Sequence, residues 1–256
     1  MNLVKIEFNK IQKSRIGKIL IPITVLTIII YSIILISTQG QIESNFEYMV
    51  GIFNNINMFG IVMFITVYCT SLLFANEFEN RVAIYVNIRH IPIRKIYISR
   101  ILAIMLYVLL IYLLQFITLF VIGAVKYGIS PLVNDLGIVQ SFIKVFLLMI
   151  EMWMTNLFFI SIGILVSVAV KNQILTIVIS VVSVLVLNMI KNLCPKILTK
   201  FLVTTYLDFY QNDLFTVNSM GQFVVNIVLA LLVFVAYSFV LYMISEILMS
   251  RENREA

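Results

Sequence analysis

Residues 101–124 read ILAIMLYVLLIYLLQFITLFVIGA, twenty-four consecutive positions without a charge. A helix rises about 1.5 Å per residue, so about 20 mostly apolar residues cross the roughly 30 Å hydrocarbon core of a bilayer. The run is long enough, and it is apolar on every face rather than along one stripe. A spanning barrel strand would need only about 10 residues, with apolar and polar positions alternating. The stretch therefore predicts a membrane-spanning α-helix.

Five further apolar runs flank it, near 19–37, 59–75, 145–170, 174–190 and 223–247. The expected fold class is an all-α membrane protein with six transmembrane helices in a single permease-like domain over 1–256. Composition agrees with a lipid solvent. The chain is 62% hydrophobic and 12% charged, against about 45–50% and about 25% in soluble domains. Basic residues then orient the spans, because Lys and Arg accumulate on the cytoplasmic side. Lys5, Lys10, Lys13, Arg15 and Lys18 precede the first run, and Arg81, Arg89, Arg94, Lys95 and Arg100 lie between the second and third. With Lys171, Arg251 and Arg254, thirteen of the eighteen basic residues fall on one side. Only Lys126, Lys144, Lys191, Lys196 and Lys200 fall on the other. Both termini are therefore expected in the cytoplasm, and the net charge of +6 reads as a topology signal rather than a nucleic-acid footprint.

Residues 1–18 place Val4, Phe8 and Ile11 at i, i+4 and i+7, with lysines elsewhere on the turn. This spacing predicts an amphipathic helix at the cytoplasmic interface; a disordered basic leader that only sets topology is the alternative. The basic start followed by an apolar run also has the outline of a signal peptide. The run is too long for an h-region and no small-residue cleavage site follows it, so it is expected to be retained.

Two cysteines, Cys69 and Cys194, at different expected depths predict no disulfide, and with one histidine they predict no metal site. His90 sits beside arginines and reads as a solvated side chain. No Gly-x-x-x-x-Gly-Lys-Ser/Thr motif is present, so nucleotide chemistry would have to come from another chain. The runs contain no His and no Asp, which leaves no nucleophile or metal set for an intramembrane protease.

The segment 76–100 carries the most information. Glu77 and Glu79 follow the second run, an apolar–polar stretch covers Ala83–Ile88, and Pro92-Ile93-Arg94-Lys95 with Arg100 leads into the third run. Pro92 breaks any helix before it and suits the start of the next. This pattern resembles the type-2 ATP-binding-cassette (ABC) exporter permeases. There an acidic residue after the second span is followed by a short coupling helix and a Pro-x-Ser/Arg-Arg/Lys segment. Where that family usually carries Gly-Thr, this chain has Arg81-Val82. The resemblance covers the whole chain as topology and about 25 residues as sequence.

The resemblance implies a coupling loop docking on a cytoplasmic ATPase. Ile84, Tyr85, Val86 and Ile88 would be its anchors; Glu77, Glu79, Arg81 and Arg89 would form its charged rim. It implies two ATPase subunits carrying ATP and Mg, a second permease chain, identical or related, and no cofactor and no catalytic residue on this chain. The short, Ile-, Asn- and Lys-rich permeases of lantibiotic immunity and bacitracin resistance in Gram-positive bacteria are the most similar kind. They imply export of an amphipathic antimicrobial peptide across a bacterial cell membrane. A solvated loop that only fixes topology is the plainer reading of 76–100.

Glu151 is the one acid clearly inside an apolar stretch. A carboxylate at mid-bilayer costs on the order of 3 kcal/mol. It would then serve as a substrate or proton site, with Lys144 seven residues away on about the same face. The plainer reading uses Trp153, the only tryptophan, as the mark of the outer interface and puts Glu151 at the headgroups. The segment 191–222 mixes aromatics with charges and suits interfacial helices or a solvated loop. Ser71, Gly123, Ser161, Gly163, Ser167, Ser180 and Ser183 read as packing residues. An ion-coupled carrier or channel without an ATPase is the competing function, and it would need more buried ionisable groups and a visible repeat.

Overall fold

A computed structural model of the chain describes residues 3–38, 44–58, 60–76, 93–132, 137–193 and 220–255. They form eight helices: α1 (Leu3–Lys13), α2 (Arg15–Thr38), α3 (Asn45–Met58), α4 (Ile61–Leu73), α5 (Ile93–Tyr127), α6 (Ile138–Val170), α7 (Gln173–Leu193) and α8 (Met220–Glu255).

Among the described residues, four helices are long and apolar enough to cross a membrane, not six. They cover Arg15–Ile34, Arg94–Tyr127, Ile138–Val170 and Gly221–Leu248, and they make this a multi-pass membrane protein. The runs near 59–75 and 174–190 form shorter apolar helices, Ile61–Leu73 and Gln173–Leu187. At about 1.5 Å per residue these apolar stretches cover only about 20–23 Å of the roughly 30 Å core. The first is cut at Gly60, whose φ of 68° lies in the left-handed region that a side chain disfavours. The second belongs to α7, which runs on to Leu193 with Lys191 and Asn192 in its last turn.

Between α2 and α5 the chain returns along α3 and α4. Phe46 and Phe53 of α3 meet Phe120 and Phe116 in the second half of α5. Phe74, just after α4, meets Tyr97 near the start of α5. The start of α6 packs on the same second half of α5 through Phe142 and Phe146, both in edge contact with Phe116. At the opposite end, the last part of α8 reaches the first turns of α5, and α1 packs along the first half of α5. The start of α5 thus lies at the end of the bundle where Tyr242 and Glu246 of α8 and Glu7 of α1 meet it.

Burial decides which helix is central. In α6, 67% of the apolar window is buried, against 39% in α5, 28% in α2 and 17% in α8. The α8 helix packs mainly on α6, through a stripe at Phe223, Ile227, Ala230, Phe234, Ser238 and Ser245. Spacings of three, four and seven keep these positions on one face. Its other faces expose large apolar groups, as does the outer face of α2 at Ile19, Ile23, Leu26, Ile30 and Ile33. In water such surfaces would be costly; beside lipid tails they are not. Helix association must then rest on close packing and buried hydrogen bonds. Gly163 of α6 supplies the first, since a Cβ there would stand 2.9 Å from the Thr70 methyl of α4.

Candidate functional site

The α4 helix ends when the Phe74 N–H turns back to the Thr70 carbonyl at 2.9 Å. The Phe74 ring is fully buried and lies 5.0 Å from Tyr97, edge-on. The Arg100 guanidinium sits over it at 5.3 Å from the ring centre. Arg100 is 5% exposed, and its Nε stands 3.9 Å from Oε2 of Glu7, itself 6% exposed. Lys10 donates to the other Glu7 oxygen at 3.0 Å. On the far side, Tyr97 meets Tyr242 of α8, and Arg94 donates to Glu246 at 2.6 Å.

Local sequence explains the convergence. Val4, Glu7, Phe8 and Ile11 share one face of α1, so the helix delivers its carboxylate with its apolar anchors. Ile11 is fully buried, and Phe8 packs edge-on against Tyr107 of α5. Tyr107 in turn donates to the Gly17 carbonyl at 2.8 Å, holding the α1–α2 joint to α5. On α5, Arg94, Tyr97 and Arg100 recur every three residues and divide their contacts between α8, α4 and α1. Desolvating Glu7 and Arg100 is costly, and their attraction offsets it only because both partners are held together. By contrast, the Arg94–Glu246 pair is largely solvent-exposed and contributes little stability.

This hub holds both edges of the 76–100 segment. Glu77, Glu79, Arg81, Ile84, Tyr85, Val86, Ile88 and Arg89 lie outside the described residues, as do His90 and Pro92. Arg94 and Arg100 belong to the hub. Glu7 was not singled out by the sequence reading. The available signal was its position: it is the one acid in 1–18, and it falls on the apolar face among Val4, Phe8 and Ile11.

A second polar group lies inside the bundle. Thr66 of α4 donates to Asn156 Oδ1 at 2.7 Å, and the Asn156 amide donates to Tyr112 of α5 at 3.4 Å and to the Met152 carbonyl at 2.8 Å. Gln115, one turn beyond Tyr112, is 1% exposed. Glu151 and Lys144 are each 1% exposed, and the Lys144 ammonium lies 5.4 Å from the Phe223 ring centre. Both belong to α6, and Glu151 stands about midway along it. Trp153, two residues on, donates its indole N–H to the Met105 carbonyl at 2.9 Å. Among the described residues, no group of three or more His, Cys, Asp or Glu side chains could hold a metal.

Neither cluster places a nucleophile beside a base. The first arrangement ties the end of α4 and the start of α5 to α1 and α8. The family model described as ABC-2 family transporter protein matches residues 3–188. No curated protein and no solved structure matches the chain.

Proposed function

The chain belongs to the ABC-2 family of transporter proteins, whose model spans well over half of its 256 residues, and on that premise we propose that it exports an amphipathic peptide. As a member of that family it is a membrane permease of the ABC transporter superfamily and carries no catalysis of its own. The ATP that drives it is hydrolysed on two separate cytoplasmic subunits, and a second permease chain, identical or related, completes the pathway. Both termini and the 76–100 segment face the cytoplasm, the shorter helices α3 and α4 bringing the chain back to that side between α2 and α5. The cargo is an antimicrobial peptide of the lantibiotic kind, expelled from the membrane or the cell. Family membership favours this reading over an ion-coupled carrier.

The observation that carries the coupling part is the hub under the 76–100 segment. A motor pushing on a loop does work only if the loop is held to the spans. Here Phe74 and Arg100 flank the loop and join it to α1, while Tyr97 and Arg94 join it to α8. Within the loop, Ile84, Tyr85, Val86 and Ile88 would fill a groove on the ATPase, with Glu77, Glu79, Arg81 and Arg89 around it. The apolar walls, poor in fixed charge, suit an amphipathic cargo better than a small ion.

The test is co-purification with a candidate ABC ATPase, together with resistance of the host to a lantibiotic. Deleting Ala83–Ile88 should abolish both the association and the resistance. Retained association would remove the docking role. Loss of association with no loss of resistance would remove the cargo assignment.

A further inference from the structure

We propose that a groove between α1 and α5 holds one anionic phospholipid, with an acyl chain in the groove and the headgroup on Lys5. The proposal does not depend on the cargo or on the ATPase.

The open groove has a volume of about 350 Å³ and is lined by Val4, Lys5 and Phe8 of α1 and by Leu106, Leu109 and Leu110 of α5. Its volume falls within the roughly 300–1,000 Å³ of ordinary small-molecule sites. Five of the six lining residues are apolar, which suits hydrocarbon and no polar solute. It opens onto a ladder of exposed leucines on α5, Leu102, Leu106, Leu110 and Leu114, spaced by four residues. The groove is thus continuous with the lipid-facing surface of that helix, and an acyl chain enters it without leaving hydrocarbon.

The charge argument selects the headgroup. Lys5 is exposed at the groove, and Lys10, Lys13, Arg15 and Lys18 follow within 1–18. The one acid of the segment, Glu7, is buried and already engaged by Lys10 and Arg100. Nothing on α1 therefore offsets Lys5. An anionic phosphate gains there what a zwitterionic headgroup does not. The lipid would also fill the open side of α1 and hold that helix against α5.

The sole tryptophan provides the reporter. Trp153 donates to the Met105 carbonyl, one residue from groove-lining Leu106. The full chain is reconstituted in phosphatidylcholine vesicles, and acyl-brominated phosphatidylglycerol or acyl-brominated phosphatidylcholine is added at equal mole fraction. Brominated phosphatidylglycerol should quench Trp153 at the lower mole fraction. Lys5→Glu should weaken that preference by about fivefold or more, as expected from about 1 kcal/mol per lysine at an anionic surface. Leu109→Phe, which fills the groove and keeps every charge, should weaken it as well. Lys13→Glu, an exposed cation outside the groove, should leave it in place. Equal quenching by the two lipids would overturn the proposal. So would an equal fall with Lys13→Glu, which would mean diffuse attraction by the whole basic segment, or an undiminished preference with Leu109→Phe.

Discussion

Replacing Glu7 by glutamine leaves its size unchanged and removes one charge from a site where both it and Arg100 are nearly buried, at 6% and 5% exposure. At their separation of 3.9 Å, two unit charges attract by roughly 4 kcal/mol in an effective dielectric of about 20. Breaking a buried pair from one side generally costs about 3–5 kcal/mol, because the remaining charge stays desolvated. Undocking of α1 would rehydrate Arg100 and recover part of this, so about 2–3 kcal/mol should fall on the docking of α1 against α5. At about 1.4 kcal/mol per tenfold, the undocked population should rise about 30- to 150-fold. Amide hydrogen exchange reads this directly, since local opening sets the exchange rate. Amides of Leu3–Lys13 should exchange faster by that factor in Glu7→Gln, while those of α6 should not change. The double variant Glu7→Gln/Arg100→Gln should regain most of the protection, because no uncompensated charge is left. Protection of α1 within threefold of the wild type in the single variant would refute the claim that this pair holds the helix.

Asn156→Ala removes the bonds to Thr66 and Tyr112 and should lower stability by about 1–2 kcal/mol, measured by unfolding in a mild denaturing detergent. Gly163→Val forces a side chain against Thr70 and should cost about 1–3 kcal/mol as overpacking. Thr70→Ser, which removes the nearest methyl, should restore part of the loss in the same unfolding assay. Arg94→Ala breaks an exposed pair and should leave the unfolding midpoint unchanged, in contrast to Glu7→Gln. Glu151→Gln should reduce transport while leaving the folded protein intact if the buried carboxylate contacts cargo; resistance equal to wild type would make it structural.

Much of the candidate site was legible in part. The amphipathic spacing of Val4, Phe8 and Ile11 pointed to a helix within 1–18, and the structure forms one over Leu3–Lys13, with Ile11 buried and Val4 and Phe8 half-buried against α5. Arg94 and Arg100 were visible as basic residues before a span, but their partners were not. Glu7 and Arg100 are ninety-three positions apart in sequence, and Arg94 and Glu246 are 152 positions apart. No local window contains both members of either pair. Glu151 and Trp153 show the same limit: a hydropathy run ranks residues by what they are, not by what surrounds them, and both side chains turn into the bundle.

The sequence by itself determined that this chain lives in a membrane as helices, because long uncharged runs leave no other way to satisfy the backbone in lipid. It also determined that the chain carries its positive charge lopsidedly. Tertiary structure alone decided how many of those runs are long enough to cross. A hydropathy sum does not register the left-handed turn at Gly60 that cuts one run to thirteen residues. It also alone decided which polar groups meet: burial makes a charge costly, and only the packed arrangement supplies the partner that makes it tolerable.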